Sequence, residues 1–210
     1  MIRSFRTARP QANANRPRGA AGFSLLELLL VLGIVLILAS LFWSATSGGT
    51  QRQQRKQCEK NLQKIFIALE IFANDHEGKF PDPPGVRTSG EALDALVPRY
   101  TVDTSVFICP ASKDAPLPAG ETTAKRRISY AYYRGRRRSD SAEVLMSDQQ
   151  VDTLSKSAGQ LAFSASGAAP GNNHGDRGGN FLFVDGHTEP TPARAPFPLV
   201  LPPDVVLLNP

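Results

Sequence analysis

The chain has 210 residues, a formal net charge of +5, three histidines and two cysteines. Five arginines precede residue 22 and no acidic residue does, so the rest of the chain is formally neutral and gives little reason to expect a nucleic-acid partner. The sequence contains neither a Gly-x-Ser-x-Gly nor a His-Glu-x-x-His motif, which argues against serine-hydrolase and zinc-peptidase chemistry. We therefore predict that the protein is not an enzyme.

The first 46 residues combine a polar leader with a long apolar stretch. Residues 1–22 are rich in Arg, Pro, Asn and Ala, a composition typical of a disordered cytoplasmic tag. The 23 residues of the segment 23–45 are almost all apolar. At about 1.5 Å per residue they form a helix of roughly 34 Å, which spans a hydrocarbon core of about 30 Å. We predict a single transmembrane helix over residues 23–46, with the N-terminus in the cytoplasm because arginines precede it.

Glu27 is the only charged residue in this apolar stretch. A charged side chain inside a membrane span costs on the order of 3 kcal/mol on insertion scales, so Glu27 is expected to have a partner. If the chain were cut after Gly22, the new amine of Phe23 would lie about one helical turn from Glu27. The Glu27 of one subunit could then neutralise the N-terminal amine of a neighbouring subunit.

Residues 22–27 read Gly-Phe-Ser-Leu-Leu-Glu and precede an unbroken apolar run. This pattern resembles the processing motif of type IV pilins and type II secretion pseudopilins. The resemblance implies that a prepilin peptidase cleaves after Gly22 and methylates the amine of Phe23, and that Glu27 guides assembly with other pilin-like subunits. It also implies an inner-membrane protein with a periplasmic head, in contact with membrane lipid and an inner-membrane assembly platform. The alternative is a plain signal-anchored surface domain.

Residues 47–77 are predicted to join the membrane segment to a head. Two adjacent glycines within residues 47–50 predict a bend, a melted hinge or a plain linker. Residues 51–76 then have apolar side chains at helical spacing, and Gly78 and Pro81 end this pattern. Because no second long helical pattern follows, a sheet must cover the apolar face. The predicted fold is therefore α+β and pilin-like, with a long N-terminal helix packed on a small antiparallel sheet.

The head is predicted to occupy residues 78–189, and the Pro-rich residues 190–210 are predicted to form an extended tail that docks through its apolar segments. Ser89 is expected to cap a short helix over residues 90–97. About 165 residues remain outside the membrane, which is enough for one soluble domain. The segments predicted as strands are residues 104–109, 127–133, 142–147 and 181–184, with a returning arm over 187–189.

Cys58 and Cys109 are the only cysteines, and the predicted topology puts both outside the cytoplasm, where disulfides persist. A bridge would tie the amphipathic helix to the first predicted strand across a loop of about 50 residues, which is worth roughly 4 kcal/mol in the chain-entropy model. We predict this disulfide. The alternatives are two separate buried thiols and a zinc site, in which two cysteines alone do not fill the four ligand positions.

Residues 171–187 form the most distinctive segment of the head, and this segment is rich in glycine. It resembles the C-terminal signature of a pseudopilin-like group, in which a histidine is followed after nine residues by Asp-Gly and often by a second histidine. Here the corresponding residues are His174, Asp185, Gly186 and His187, with ten residues between the first two. The Asp-Gly pair also predicts a type I′ hairpin turn, because both residue types tolerate positive φ.

Three interpretations of this glycine-rich segment remain open. Asp176, Asp185 and main-chain carbonyls are candidate ligands for calcium, which takes about six to eight oxygens, and some pseudopilins hold calcium in a C-terminal loop. His174 and His187 would instead suit a transition metal. A hairpin whose Asp, Asn and Gly residues satisfy turn geometry needs no metal.

The segment 125–138 contains seven basic residues, three tyrosines and no acidic residue. Tyrosines interleaved with arginines can stack on bases and hold phosphates, and competence pseudopilins do meet DNA, so a DNA-binding pilin-like module is one alternative. A solvated edge strand protected by charge explains residues 134–138 equally well. Nucleic acid is therefore not the expected partner. The expected function is that of a pilin or pseudopilin subunit in a type II secretion or type IV pilus-like machine.

Overall fold

The computed structural model describes residues 24–118, 121–150, 152–165 and 173–210, with the exception of the side chains of residues 41–48. The chain divides into two compact units, Met1–Ala45 and Thr46–Pro210, and one long helix, α1 (Leu25–Asp75), contributes to both. The backbone of α1 is helical through the two glycines, so the predicted melted hinge or non-helical linker there is wrong. Each glycine costs only about 1 kcal/mol in a helix, which the flanking turns of a long helix can overcome.

The described part of the first unit is the start of α1, where the apolar side chains are exposed. The exposed fraction ranges from 48% to 75% over twelve side chains, namely Leu25, Leu26, Leu28, Leu29, Leu30, Val31, Leu32, Ile34, Val35, Leu36, Ile37 and Leu38. In the part of the chain that the structure describes, no helix combines the length and the apolar character needed to cross a membrane. The predicted span starts at Phe23, which lies outside the described residues.

The second half of α1 packs on the sheet through the apolar stripe that the sequence predicts. The fully buried members of this stripe are spaced by three or four residues: Cys58, Leu62, Ile65, Leu69 and Ala73. The helix ends where Glu77 and Gly78 adopt positive φ and the Gly78 amide donates a hydrogen bond to the Ala73 carbonyl at 2.8 Å. The predicted helix and its C-terminal glycine are therefore confirmed.

The described residues form one five-stranded antiparallel sheet with the strand order β4-β3-β2-β1-β5. Four of its strands overlap the predicted segments 127–133, 142–147, 181–184 and 187–189. The strands are β1 (Tyr130–Arg134), β2 (Val144–Asp148), β3 (Gly179–Phe183), β4 (Thr188–Thr191) and β5 (Val206–Leu208). A long helix on a small antiparallel sheet is the predicted α+β pilin-like fold, which is confirmed.

Both faces of the sheet are covered. Successive side chains of a strand point to opposite faces, so Tyr130 and Tyr132 join the core beneath α1, whereas Ala131 and Tyr133 join a second core. The C-terminal residues that cover this second core are Ala195, Phe197, Leu199, Leu201, Val205 and Leu207. The Pro-rich tail therefore docks on the head, and its last strand, β5, pairs with β1.

The prediction of a strand over residues 104–109 is wrong. Thr104–Phe107 form a 3-10 helix, and the Asp103 carboxylate accepts a hydrogen bond from the Ser105 amide at 3.2 Å at its start. Such a local side-chain acceptor competes with strand pairing for the backbone donors. Val106 and Phe107 are nevertheless buried, so burial accounts for the apolar pattern without a strand.

The short helix α2 (Ser89–Leu93) starts one residue earlier and ends four residues earlier than predicted, and Asp94–Leu96 follow it as a 3-10 helix. Thr88 caps it, because its hydroxyl accepts a hydrogen bond from the Glu91 amide at 3.2 Å and the Glu91 carboxylate accepts one from the Thr88 amide. Ser89 has a different role. Its hydroxyl donates to the Tyr130 carbonyl at 2.7 Å and ties α2 to β1.

Candidate functional site

The N-terminal motif lies at the start of α1. Gly22 and Phe23, where cleavage and methylation are predicted, lie outside the described residues. Glu27 lies in the first turn of α1 with an exposed side chain, and the Leu28 amide donates to the Ser24 carbonyl at 3.1 Å in the same turn. A carboxylate in the first turn of a helix is stabilised by the positive end of the helix dipole. Cleavage, methylation and the assembly role of Glu27 stay predictions.

Cys58 and Cys109 form the predicted disulfide, which is confirmed. The bridge connects α1 to Cys109, two residues after the segment Thr104–Phe107, across a sequence separation of 51 residues. Both half-cystines are buried in the core beneath α1. In this structure the two cysteines are therefore bonded to each other and are not two separate buried thiols.

His174 and Asp148 lie against this disulfide. His174 Nε2 is 3.7 Å from Cys109 Sγ and 3.4 Å from Asp148 Oδ2. Asp148 is the last residue of β2 and is fully buried. His174 therefore lies next to the disulfide. The C-terminal signature pairs it with Asp185 instead.

The Asp148 carboxylate accepts three hydrogen bonds from two asparagines. Its Oδ1 accepts from Asn173 Nδ2 at 2.7 Å, and its Oδ2 accepts from the Asn180 amide at 2.7 Å and from Asn180 Nδ2 at 3.1 Å. These bonds satisfy a charge that would otherwise be costly to bury. Asp148 is not among the predicted site residues, because its only signal in the sequence is an acidic residue at the end of an apolar strand.

Arg55 of α1 lies beside this network. Its Nη atoms donate to the main-chain carbonyls of Arg177, Gly179 and Thr191 at 3.2, 2.8 and 2.9 Å. Burial lowers the pKa of Arg55, although the charges of nearby carboxylates, first that of Asp148, oppose this effect. Arg55 therefore joins α1 to the start of β3 and the end of β4 and places a positive charge near Asp148.

The structure does not bring the predicted calcium ligands together. Asp176 lies in a 3-10 helix, Gly175–Arg177, before β3, whereas Asp185 follows β3. Five strand residues at about 3.3 Å each separate the two ends of β3 by roughly 16 Å. The same strand separates His174 from His187, so these histidines do not form a shared transition-metal site either.

Asp185 and Gly186 form the turn between β3 and β4. The Gly186 amide donates to the Phe183 carbonyl at 3.0 Å, and Gly186 has a φ of 89° whereas Asp185 does not have a positive φ. The predicted type I′ turn is therefore wrong, because it needs positive φ at both central residues. The Asp185 carboxylate accepts hydrogen bonds from the amide and the ring of His187. Partial burial raises the pKa of Asp185, but the bonds from His187 outweigh it and lower the pKa overall.

We expect this turn to depend on Gly186 more than on Asp185. Asp185→Asn should cost less than about 1 kcal/mol, because the amide oxygen of Asn can still accept from the His187 amide. Gly186→Ala should cost more than about 1–2 kcal/mol, since alanine is strained at positive φ and its Cβ would lie 2.5 Å from the ring of Phe66. Thermal unfolding of the full-length variants measures both effects.

The same unfolding experiment tests the calcium interpretation. The wild-type midpoint should be identical in calcium and in chelator, because the two candidate carboxylates lie at opposite ends of β3. A higher midpoint in calcium that disappears in Asp185→Asn would contradict this expectation.

The basic segment 125–138 does not offer tyrosines for stacking on bases. The side chains of Tyr130, Tyr132 and Tyr133 are buried. Five of the seven basic side chains form ion pairs, which are Arg126 with Glu121, Arg127 with Asp114, Arg134 with Asp82, Arg136 with Glu143 and Arg138 with Glu70. The segment therefore lacks the exposed aromatic groups that the DNA-binding alternative requires.

Comparison with known proteins identifies the class. Residues 17–43 match the family described as the prokaryotic N-terminal methylation motif. The chain is 32% identical over 78 residues to competence protein ComGC of Bacillus subtilis (strain 168), and this alignment covers 37% of the chain and 80% of that relative. No solved structure matches the chain significantly. The chain therefore belongs to the pilin-like family that carries a prepilin-type N-terminal methylation motif.

Proposed function

We propose that the chain is the precursor of a filament subunit that is cleaved after Gly22 by a prepilin peptidase and methylated at the amine of Phe23. Residues 23–46 anchor the precursor in the lipid of the inner membrane, with the leader in the cytoplasm and the head outside it. An inner-membrane assembly platform then builds the subunits into a filament of a pilus-like or type II secretion machine.

The exposed apolar surface at the start of α1 is the observation that carries this proposal. Twelve consecutive or nearly consecutive apolar side chains between residues 25 and 38 are about half exposed or more. Soluble monomers rarely expose a contiguous apolar patch of more than a few hundred Å², so this surface needs a cover. Lipid provides the cover before assembly, and the α1 helices of neighbouring subunits provide it afterwards.

Glu27 supports a role for cleavage in assembly. It lies in the first turn of this apolar surface, where an unpaired carboxylate surrounded by lipid costs on the order of 3 kcal/mol. Cleavage after Gly22 creates a positive amine on Phe23, and this amine on a neighbouring subunit is a partner of opposite charge. Only a cleaved subunit offers that amine at this depth.

The cleavage proposal is tested by Gly22→Arg. Mass spectrometry of the wild-type protein extracted from membranes should find N-methylated Phe23 at the N-terminus. The Gly22→Arg protein should retain the full leader, because a large charged side chain replaces the small residue before the cleaved bond. Recovery of wild-type protein that still begins at Met1 would contradict the proposal.

Glu27→Ala provides the matched test of assembly. This variant should be cleaved and methylated normally, but cross-linking should detect far less subunit packing than in the wild type. Glu77→Ala is the control, because it removes an exposed glutamate that follows α1. Wild-type levels of cross-linking in Glu27→Ala would contradict the charge-pairing role.

The particular machine is a separate question with its own test. Co-purification of the chain with a secretion ATPase would assign it to type II secretion, whereas co-purification with a pilus assembly protein would assign it to a pilus-like system. A competence machine is a second candidate, favoured by the identity to competence protein ComGC.

A further inference from the structure

Four side chains with metal-binding atoms meet at one buried point in the unit Thr46–Pro210. They are Cys58, Cys109, Asp148 and His174, and one ligand atom from each lies within 4.8 Å of the other three. Three of these residues are buried and the histidine is nearly so. Two sulfurs, one imidazole nitrogen and one carboxylate oxygen are a donor set that suits a four-coordinate zinc ion.

The distances around His174 fit tetrahedral zinc. Zinc–sulfur bonds of about 2.3 Å and zinc–nitrogen and zinc–oxygen bonds of about 2.0 Å put a sulfur and a nitrogen about 3.5 Å apart, and a nitrogen and an oxygen about 3.3 Å apart. His174 Nε2 is 3.7 Å from Cys109 Sγ and 3.4 Å from Asp148 Oδ2. Two of the required ligand separations are therefore already present beside the closed disulfide.

The surroundings of Asp148 provide the outer shell that metal ligands need. Asn173 and Asn180 donate hydrogen bonds to its two oxygens and fix the orientation of the carboxylate. The guanidinium of Arg55 lies close enough to interact with the charge of Asp148. The formal charges at the zinc-bound site would sum to zero, counting two thiolates, one carboxylate, one zinc ion and the guanidinium of Arg55. When the disulfide is closed, the charges of Asp148 and Arg55 also sum to zero.

A cavity of about 390 Å³ lies on the His174 side of this point. His174 lines it together with Gln54, Arg55, Ala111 and Asn173. The cavity is large enough to admit a hydrated ion, and among the four metal-binding side chains His174 is the one that lines it.

We propose that the reduced chain binds one zinc ion through Cys58 Sγ, Cys109 Sγ, His174 Nε2 and a carboxylate oxygen of Asp148, and that zinc and the disulfide exclude each other. A dithiol or phosphine reductant adds two electrons to the disulfide, and two protons complete the two thiols. Zinc then replaces these two protons. A disulfide oxidant reverses the change, because it removes two electrons from the thiolates, forms the sulfur–sulfur bond and releases the ion. This site does not depend on the filament role.

Cobalt and zinc titration of the full-length protein tests the site. Protein reduced with a phosphine without oxygen should bind one cobalt ion per chain, with a thiolate-to-cobalt charge-transfer band and the visible bands of a tetrahedral site. Zinc should displace the cobalt, and two protons should be released for each zinc ion bound to the reduced metal-free chain. The oxidised protein should bind none. A reduced protein that binds no cobalt would overturn the proposal.

His174→Ala and His187→Ala form a matched pair. His174→Ala removes a ligand and should weaken zinc binding by more than the roughly 10- to 100-fold expected from loss of an outer-shell partner. His187→Ala removes an exposed histidine beyond β3 and should leave zinc affinity unchanged. Equal zinc affinity in wild type and His174→Ala would overturn the proposed ligand set.

Thermal unfolding tests the proposal even if reduction of the disulfide destabilises the fold. Because metal binding is coupled to folding, zinc should raise the unfolding midpoint of the reduced wild type and leave that of the oxidised protein unchanged. Magnesium, which prefers oxygen ligands, should have no effect. A midpoint of the reduced protein that is the same with and without zinc would overturn the site.

Discussion

Replacement of both Cys58 and Cys109 by alanine is expected to lower the free energy of unfolding by about 4 kcal/mol. The bridge closes a loop with a sequence separation of 51 residues, and its loss returns that loop's freedom to the unfolded chain. The half-cystines are also part of the core beneath α1, so the smaller alanines leave unfilled space that adds to the loss. For a unit of this size the unfolding midpoint should fall by about 10 °C.

Denaturation of the full-length protein in chelator, with and without reductant, measures this effect. Reductant should lower the wild-type midpoint towards that of the double variant and should not change the double variant itself. Chelator is needed because zinc would stabilise the reduced wild type. A double variant within about 1 kcal/mol of the oxidised wild type would contradict the expected role of the bridge.

The fold is predictable from the sequence where a single helix or strand has a distinct pattern of apolar residues. The second half of α1 repeats apolar residues at helical spacing from Cys58 to Ala73, and the strands β1 and β3 are short apolar runs bounded by glycine or charge. The sheet follows from the need to cover that helical stripe. These patterns lie within short segments of the chain, so they can be recognised from one sequence.

Elements that depend on distant partners are harder to predict. β5 lies within a Pro-rich segment and is a strand because it pairs with β1, more than 70 residues earlier. Residues 104–109 show the opposite error, because a strand is predicted where a 3-10 helix forms. Their apolar residues are buried, but the Asp103 carboxylate favours a local turn. In both segments tertiary context overrides the local pattern.

The candidate site also has one part that is predictable from the sequence and one part that is not. The disulfide is predictable because only two cysteines exist and the predicted compartment favours oxidation. The linear signature links His174 with Asp185, but β3 runs between them, and the carboxylate that meets His174 is Asp148 of another strand. No spacing within one segment predicts a contact that depends on the pairing of β2 with β3.

Asp148 is the residue whose loss should damage the head most among single substitutions at the site. Its carboxylate is fully buried and accepts three hydrogen bonds from Asn173 and Asn180. Asp148→Ala takes the carboxylate acceptor from the Asn180 main-chain amide and from one N–H of each asparagine side chain, and it removes the negative charge beside Arg55. The side-chain amides keep their second acceptors, which are the carbonyls of Ser129 and Arg55. Each buried donor without an acceptor costs about 1–3 kcal/mol, so a total loss of about 3–5 kcal/mol is expected in the oxidised protein.

Two further substitutions and one local measurement make this expectation specific. Asp148→Asn keeps the shape and one acceptor oxygen but turns an amide group towards the donors, so it should cost less than Asp148→Ala and still more than about 1 kcal/mol. Asp204→Ala removes an exposed acidic residue and should stay within about 0.5 kcal/mol of the wild type. Hydrogen exchange of the Asn180 amide, which donates to Asp148 Oδ2, should accelerate in Asp148→Ala beyond the change expected from global stability alone. An Asp148→Ala protein that unfolds at the wild-type denaturant concentration with an equally protected Asn180 amide would show that the carboxylate does not hold β3 in place.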